Sequence, residues 1–257
     1  MKKKFSLLYN VPRLLPRESF SSWVTRLSLS QGITPSILLK YLEIHLIDDL
    51  DRHIGSLNLK QLCKKSGIRE YEFNGIKKIF NSLAAFEQTG RYFLLFSGKK
   101  ARYRFCPICL EQDDCPYFRI EWRFKVWHVC PLHKCFLEDQ CHHCATHVTL
   151  PLNMLTSGYK NMGIGSLAIC HSCGKPLSQV SPALIEDHPY LRFNPEDHLL
   201  IQNGRAFLSA LYFGRYKLCG FRQKHSIENL ILHPGSKESY WESFKWNAEL
   251  WRSLTIT

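Results

Sequence analysis

No hydrophobic run in the 257-residue chain approaches the ~20 apolar residues a helix needs to cross a bilayer. The longest, such as Ile37-Leu38-Leu39 and the stretch from Tyr92 to Phe96, fall far short. The opening MKKKFSLLYNVPRLLPRESF has a basic tip, but Pro12, Arg13, Pro16, Arg17 and Glu18 interrupt its apolar segment, so no secretory leader is expected. Acidic residues are also scarce: 22 Asp and Glu stand against 34 Lys and Arg, a formal charge of +12. That excess needs solvent or an anionic partner, and nucleic acid or an anionic membrane is the usual one. Catalytic signatures are missing as well. There is no H-E-x-x-H, no G-x-x-x-x-G-K-[ST] and no H-x-E to accompany a P-C-x-x-C. Zinc proteases of that type, P-loop NTPases and zinc deaminases are thereby excluded. No low-complexity segment appears. With 45% hydrophobic and 22% charged residues, the composition excludes wholesale disorder and supplies an ordinary core.

What the chain has in quantity is cysteine, eleven in all. In a reducing compartment thiols rarely pair as disulfides, and cysteines grouped as C-x-x-C point to metal. Four two-ligand pairs stand in a row: Cys106-x2-Cys109, Cys130-x2-His133, Cys141-x2-Cys144 and Cys170-x2-Cys173. A two-residue spacer in a tight turn lets both side chains converge on one ion, and Pro107 and Pro131 suit such turns. Two pairs complete one tetrahedron, so four pairs predict two ions. Serial pairing (Cys106, Cys109, Cys130, His133, then Cys141, Cys144, Cys170, Cys173) closes the shorter loops. Loop entropy grows only logarithmically, so a crossed arrangement is its rival. Both tetrahedra can be filled by protein, which predicts structural Zn2+ rather than a catalytic ion with an open position. Such ions supply folding free energy on the order of 10 kcal/mol per site. Cys115, His128, Cys135, His142, His143 and His171 read as neighbours of the ligands.

Before the cysteines the pattern is helical. Phe20, Trp23, Val24 and Leu27 form one apolar stripe ending at Gly32. Thr34 and Pro35 open a second helix with stripe Leu38, Tyr41, Leu42 and His45. Asn58 is expected to cap a short helix ended by Gly67, and another helix from near Arg69 carries Tyr71, Ile76, Ile79 and Phe80. Two helices about a glycine turn have the helix-turn-helix outline, with Lys77 and Lys78 as phosphate contacts on the second. The segment RYFLLFSGKKARYRF interleaves aromatics with Arg91, Lys99, Lys100, Arg102 and Arg104 and has no acid, a composition suited to tracking a phosphate backbone. After the last pair, Asn194 and Pro195 open a helix continuing through Leu200, Phe207 and Leu211. Further helices are expected at 226–233 and 239–253, the latter with Trp241, Phe244 and Trp251.

These readings give a mainly α chain with small zinc-ribbon or zinc-knuckle modules. A helix-turn-helix-like domain occupies 1–100, a tandem zinc-binding module 101–180 and a helical C-terminal region 181–257. A non-enzymatic, DNA-binding protein follows, and a stand-alone zinc-containing transcription regulator shares every feature so far.

The stretches LPRESFSSWVTRLS, YRFCPICL and WRFKVWHVCPLHKCFLEDQCHHC together resemble the TniQ/TnsD family of transposon target-selection proteins. The matching positions are Pro16, Glu18, Ser19, Phe20, Cys106, Pro107, Cys109, Trp122, Val129, Cys130, Pro131, His133, Leu137, Cys141 and Cys144, and the resemblance covers roughly residues 10 to 175. It implies a helix-turn-helix domain followed by tandem zinc knuckles in a non-enzymatic bacterial adaptor, cytoplasmic and DNA-associated. The partners implied are double-stranded DNA or a CRISPR effector complex, and a AAA+ ATPase transposition regulator. A homodimer is a further arrangement to be tested.

Overall fold

The computed structural model of the chain describes residues 7–45, 47–84, 93–125, 127–155, 165–187, 207–208, 210–217 and 224–226. Helix α1 (Phe20–Ser30) begins where Ser19, in extended backbone, accepts a hydrogen bond from the Ser22 amide through its hydroxyl. Its expected stripe is fully buried at Phe20, Trp23, Val24 and Leu27, and Gly32 follows in the left-handed region. Helix α2 (Pro35–Tyr41) starts on a Thr34 cap with Pro35 in its first turn. It is shorter than the stripe suggested. Glu43 turns left-handed at φ 60°, so His45 falls outside the helix and is exposed.

Helix α3 (Lys60–Ser66) ends at Gly67, whose φ of 75° only glycine adopts at little cost. The helix expected from Arg69 begins as a 3-10 turn, Glu70–Phe73, before becoming α4 (Asn74–Ala84). Tyr71 therefore points outward, 59% exposed, while Phe73, Ile76, Ile79 and Phe80 are buried. Phe73 packs edge-on against Phe20 and Trp23, tying this segment to α1.

The aromatic-basic segment forms a hairpin. Strand β1 (Phe96–Ser97) pairs antiparallel with β2 (Lys100–Tyr103) across a turn at Gly98, φ 58°. Strand β3 (Val148–Thr149) joins the other side of β2, with Arg102 opposite Thr149 and Tyr103 opposite Val148. Helix α5 (Pro107–Gln112) follows, then a 3-10 turn at Ile120–Arg123. The expected boundary at residue 100 lies within this sheet. The buried apolar side chains from Phe20 to Leu211 form one cluster, with Phe105, Phe118 and Trp122 packed in the same mass as α1 and α4.

The fold is therefore helices with a small sheet, not helices alone. Beyond residue 180, Phe207, Leu208 and Leu211 are buried as the stripe required. The same region also holds a hairpin of β4 (Arg215–Lys217) and β5 (Lys224–Ser226), where only helices were expected, and Ser226 belongs to that hairpin. Asn194, Pro195, Leu200 and the helix expected at 239–253 lie outside the described residues, as does 227–233 of the other. No helix among the described residues is long and apolar enough to cross a membrane.

Candidate metal centres and the seam that holds them

Eight side chains form two groups, Cys106, Cys109, Cys130 and His133 in one, and Cys141, Cys144, Cys170 and Cys173 in the other. Within each group the candidate ligand atoms all lie within 4.8 Å of one another. The arrangement is serial, not crossed.

Three of the four pairs share one backbone design. In each, the amide four residues after the first cysteine donates to that cysteine's carbonyl: Lys134 to Cys130, Ala145 to Cys141 and Gly174 to Cys170. The first cysteine's own amide donates to the carbonyl one residue further on, at Cys135, Thr146 and Lys175. Lys134, Ala145 and Gly174 all sit in the left-handed region, at φ 48°, 54° and 75°. The fold turns the chain back sharply behind each second ligand. Backbone amides then point at the sulfurs: His133 at Cys130, His143 and Cys144 at Cys141, Ser172 and Cys173 at Cys170. The remaining pair is built differently. Cys106 is the N-cap of α5, accepting from the Cys109 amide at 3.4 Å, with Pro107 at the first helical position.

The donor sets fit a tetrahedral ion. Ligand bonds of about 2.3 Å for sulfur and 2.0 Å for nitrogen place two sulfurs about 3.8 Å apart, and sulfur and nitrogen about 3.5 Å apart. The spacings found are 3.6 Å for Cys109–Cys130, and 3.4, 3.3 and 3.6 Å from His133 Nδ1 to Cys106, Cys109 and Cys130. In the second group Cys141–Cys173 is 3.7 Å and Cys144–Cys170 is 3.6 Å. His133 turns Nδ1 inward while Nε2 lies 3.0 Å from Gln112 Oε1. A metal on Nδ1 leaves the proton on Nε2 to donate to that amide oxygen, the usual outer partner of a ligating histidine. The thiols of each group are pushed apart: Cys106, Cys130 and Cys144 are lowered, while Cys109, Cys141 and Cys170 are raised by burial and by their neighbouring sulfurs. Hydrogen bonding with Cys109 brings the Cys106 thiol down to about 7. Burial opposes ionisation of Cys144, yet the hydroxyl and amide of Thr146 pull it to about 6.

Gln112 carries no signal of its own in the sequence, although it lies one helical turn after Cys109 on α5. Cys135, expected as a neighbour, is an intimate one: its Sγ is 3.5 Å from Cys106 Sγ. Cys115, His142 and His143 are exposed and join neither group.

The first group is held against α1 by a polar seam. Arg17, Glu18 and Ser19 run antiparallel to Phe118, Arg119 and Ile120: the Ser19 amide donates to Phe118 O at 3.0 Å and the Ile120 amide to Arg17 O at 2.8 Å. The buried Glu18 carboxylate accepts from the Leu15 amide and the Ser22 hydroxyl and pairs with Arg26 at 2.6 Å. Burial still pushes its carboxyl up to about 7. Ser22 Oγ also accepts from the Phe118 amide, and Tyr103 donates its hydroxyl proton to buried Asp51 while its oxygen lies 3.1 Å from the Ser19 hydroxyl. Arg123, fully buried, pairs with Asp49 and donates to Leu95 O and Arg102 O. The Glu-Ser motif near the start is thus the joint between the helices and the metal-binding region.

The basic candidates are dispersed. Lys99 and Lys100 are exposed at the hairpin turn. Lys77 is paired with Glu70, and Lys78 sits over the Tyr212 ring, 4.6 Å from its centroid. Arg102 and Arg104 both meet Asp139, at 3.2 and 3.6 Å, and Arg104 also donates to the Lys125 and Trp127 carbonyls. Arg91 lies outside the described residues.

A helical core is joined to two cysteine and histidine clusters, each of which offers four ligand atoms to a metal ion, as zinc modules do. The family model of TniQ matches residues 10–137, from the approach to α1 through the first metal centre, and over that stretch the chain belongs to the TniQ family, whose members are non-catalytic adaptors associated with transposition. No curated protein matches the chain.

Proposed function

We propose that this chain is a targeting adaptor of DNA transposition. It binds double-stranded target DNA, directly or beside a CRISPR effector complex, and recruits a AAA+ ATPase regulator that brings the transposase. The observation that carries the reading is the TniQ match across the seam and the first metal centre. Both centres hold Zn2+ in a structural role. One donor set has three cysteines and a histidine, the other four cysteines; both are soft and complete, with no position for substrate. The ions fasten a rigid platform, and the surfaces do the recognising. DNA is held through phosphate neutralisation, which the net charge of +12 favours. Lys99 and Lys100 at the hairpin turn are the best-placed contacts. Lys77, Lys78, Arg91, Arg102 and Arg104 complete the basic set, with Arg102 and Arg104 engaging DNA only if Asp139 yields them. The α3–α4 pair would act as the helix-turn-helix element.

The test combines duplex-DNA binding over a salt series with capture of the candidate ATPase, with and without DNA. The adaptor is expected to bind both. Lys99→Glu/Lys100→Glu should weaken DNA binding for every sequence and flatten the log–log salt slope by about 2. Failure to capture the ATPase under either condition, with DNA binding intact, would leave the transcription-regulator reading in its place.

A further inference from the structure

We propose that the first metal centre carries a reserve ligand: Cys135 takes the coordination position of His133 when that imidazole leaves, so the ion remains four-coordinate. The inference rests on the zinc reading of that centre.

Three observations converge. Cys135 is fully buried, and its Sγ is 3.5 Å from Cys106 Sγ, within the range that separates the ligand atoms themselves. Its backbone is clamped on both sides: its carbonyl accepts from the Cys130 amide at 2.8 Å, the Phe136 amide donates to Ala183 O, and the Ile185 amide donates to Lys134 O. The thiol therefore stays beside the centre whether or not it is bound. The equivalent position in the second centre is Thr146, whose Oγ1 is 3.3 Å from Cys144 Sγ. Behind the other left-handed turn of that centre stands exposed Lys175, so only the first centre has a thiol at this position.

His133 is the ligand suited to leave. It alone of the four is not a thiolate and is not buried, and its Nε2 is held by the side chain of Gln112, an exposed residue on α5. While the imidazole is bound, the Cys135 thiol donates to the Cys106 sulfur. When the nitrogen–metal bond breaks, a sulfur–metal bond forms, the thiol proton passes to water, and no oxidation state changes. An ion in a four-thiolate set is retained where a three-ligand site would lose it.

The test uses the full chain loaded with zinc and, in parallel, with Co(II), as wild type, His133→Ala, Cys135→Ser and the double variant. Elemental analysis counts ions, and the near-ultraviolet thiolate-to-cobalt charge-transfer band counts sulfurs. Wild type and Cys135→Ser should each hold two ions with the same spectrum. His133→Ala should keep two ions and gain one thiolate, and the double variant should keep only the ion of the second centre. A His133→Ala protein without the added thiolate signal, or a double variant that holds both ions, overturns the proposal. Zinc transfer to a chromophoric chelator gives a readout in which His133 stays in place. Release from the first centre of Cys135→Ser should be about tenfold faster than from wild type, and equal rates count against the proposal. If wild type itself bound no zinc, the zinc reading would fail instead.

Discussion

Asp49→Asn is the substitution that best tests the joint between the helices and the metal-binding region. Asp49 and Arg123 are 74 residues apart in sequence and meet in the interior, with side-chain exposures of 5% and 0%. The guanidinium lies 4.6 Å from the Phe96 ring centroid and also donates to the carbonyls of Leu95 and Arg102. Asparagine keeps the shape and one acceptor but removes the charge, leaving a cation with no water to solvate it. Breaking a buried pair from one side costs about 3–5 kcal/mol. For a chain of this length that lowers Tm by roughly 10 °C. Replacing both partners with apolar residues, as Asp49→Leu/Arg123→Met, removes the orphaned charge and should restore part of the loss. Leu95 O still accepts from the Arg102 amide, but the Arg102 carbonyl loses its bond to the guanidinium, which keeps the recovery incomplete by about 1–3 kcal/mol. Urea unfolding of the zinc-loaded protein, followed by the emission of buried Trp122, reports these differences as shifts of midpoint at constant slope. A cost below about 1 kcal/mol for Asp49→Asn, the value of a solvent-exposed pair, would refute the placement of this pair in a common core.

Three further outcomes are expected. Glu18 is raised to about 7 in the folded chain, so the native state holds its proton more tightly than the unfolded one. Its contribution to stability therefore falls as pH rises from about 4.5 to about 7, by about 3 kcal/mol in all, and Glu18→Gln should remove that slope in unfolding curves compared across this range. Ser19→Ala deletes the α1 cap and the hydroxyl contact with Tyr103, and should cost about 1–2 kcal/mol with zinc content unchanged. Elemental analysis should find two zinc ions in the wild type; Cys173→Ser should lower only the affinity of the second centre, because the two ligand sets share no residue.

Much of this is legible locally. The α1 stripe, the Thr34-Pro35 start and the Gly67 stop each depend on side chains within a few residues, and the C-x-x-C spacings carry their geometry with them. The long-range features have no such signal. Nothing near Arg102 or Arg104 in the aromatic-basic segment announces Asp139, and a run without acid looks free for an outside partner until the fold supplies one. Tyr71 fits an apolar stripe on a 3.6-residue period, but the 3-10 start of that segment rotates it outward. The hairpin is hidden by composition, since Phe96 and Tyr103 suit either a strand or a nucleic-acid contact. Glu18 and Ser19 match a family pattern, yet their task, like that of Ser22, is legible only beside Phe118 and Arg119.

The seam also sets an order of events during synthesis. Ser22 and Phe118, which bond across it, are 96 residues apart, and Phe80 stacks on Phe124. When α1 and α4 leave the ribosome, the residues that cover them have not been made. Phe73 can meet Phe20 and Trp23 early, but part of the apolar surface of α1 and α4 stays uncovered until residues 118–124 arrive, and such transiently exposed surface is where an incomplete chain is prone to aggregate.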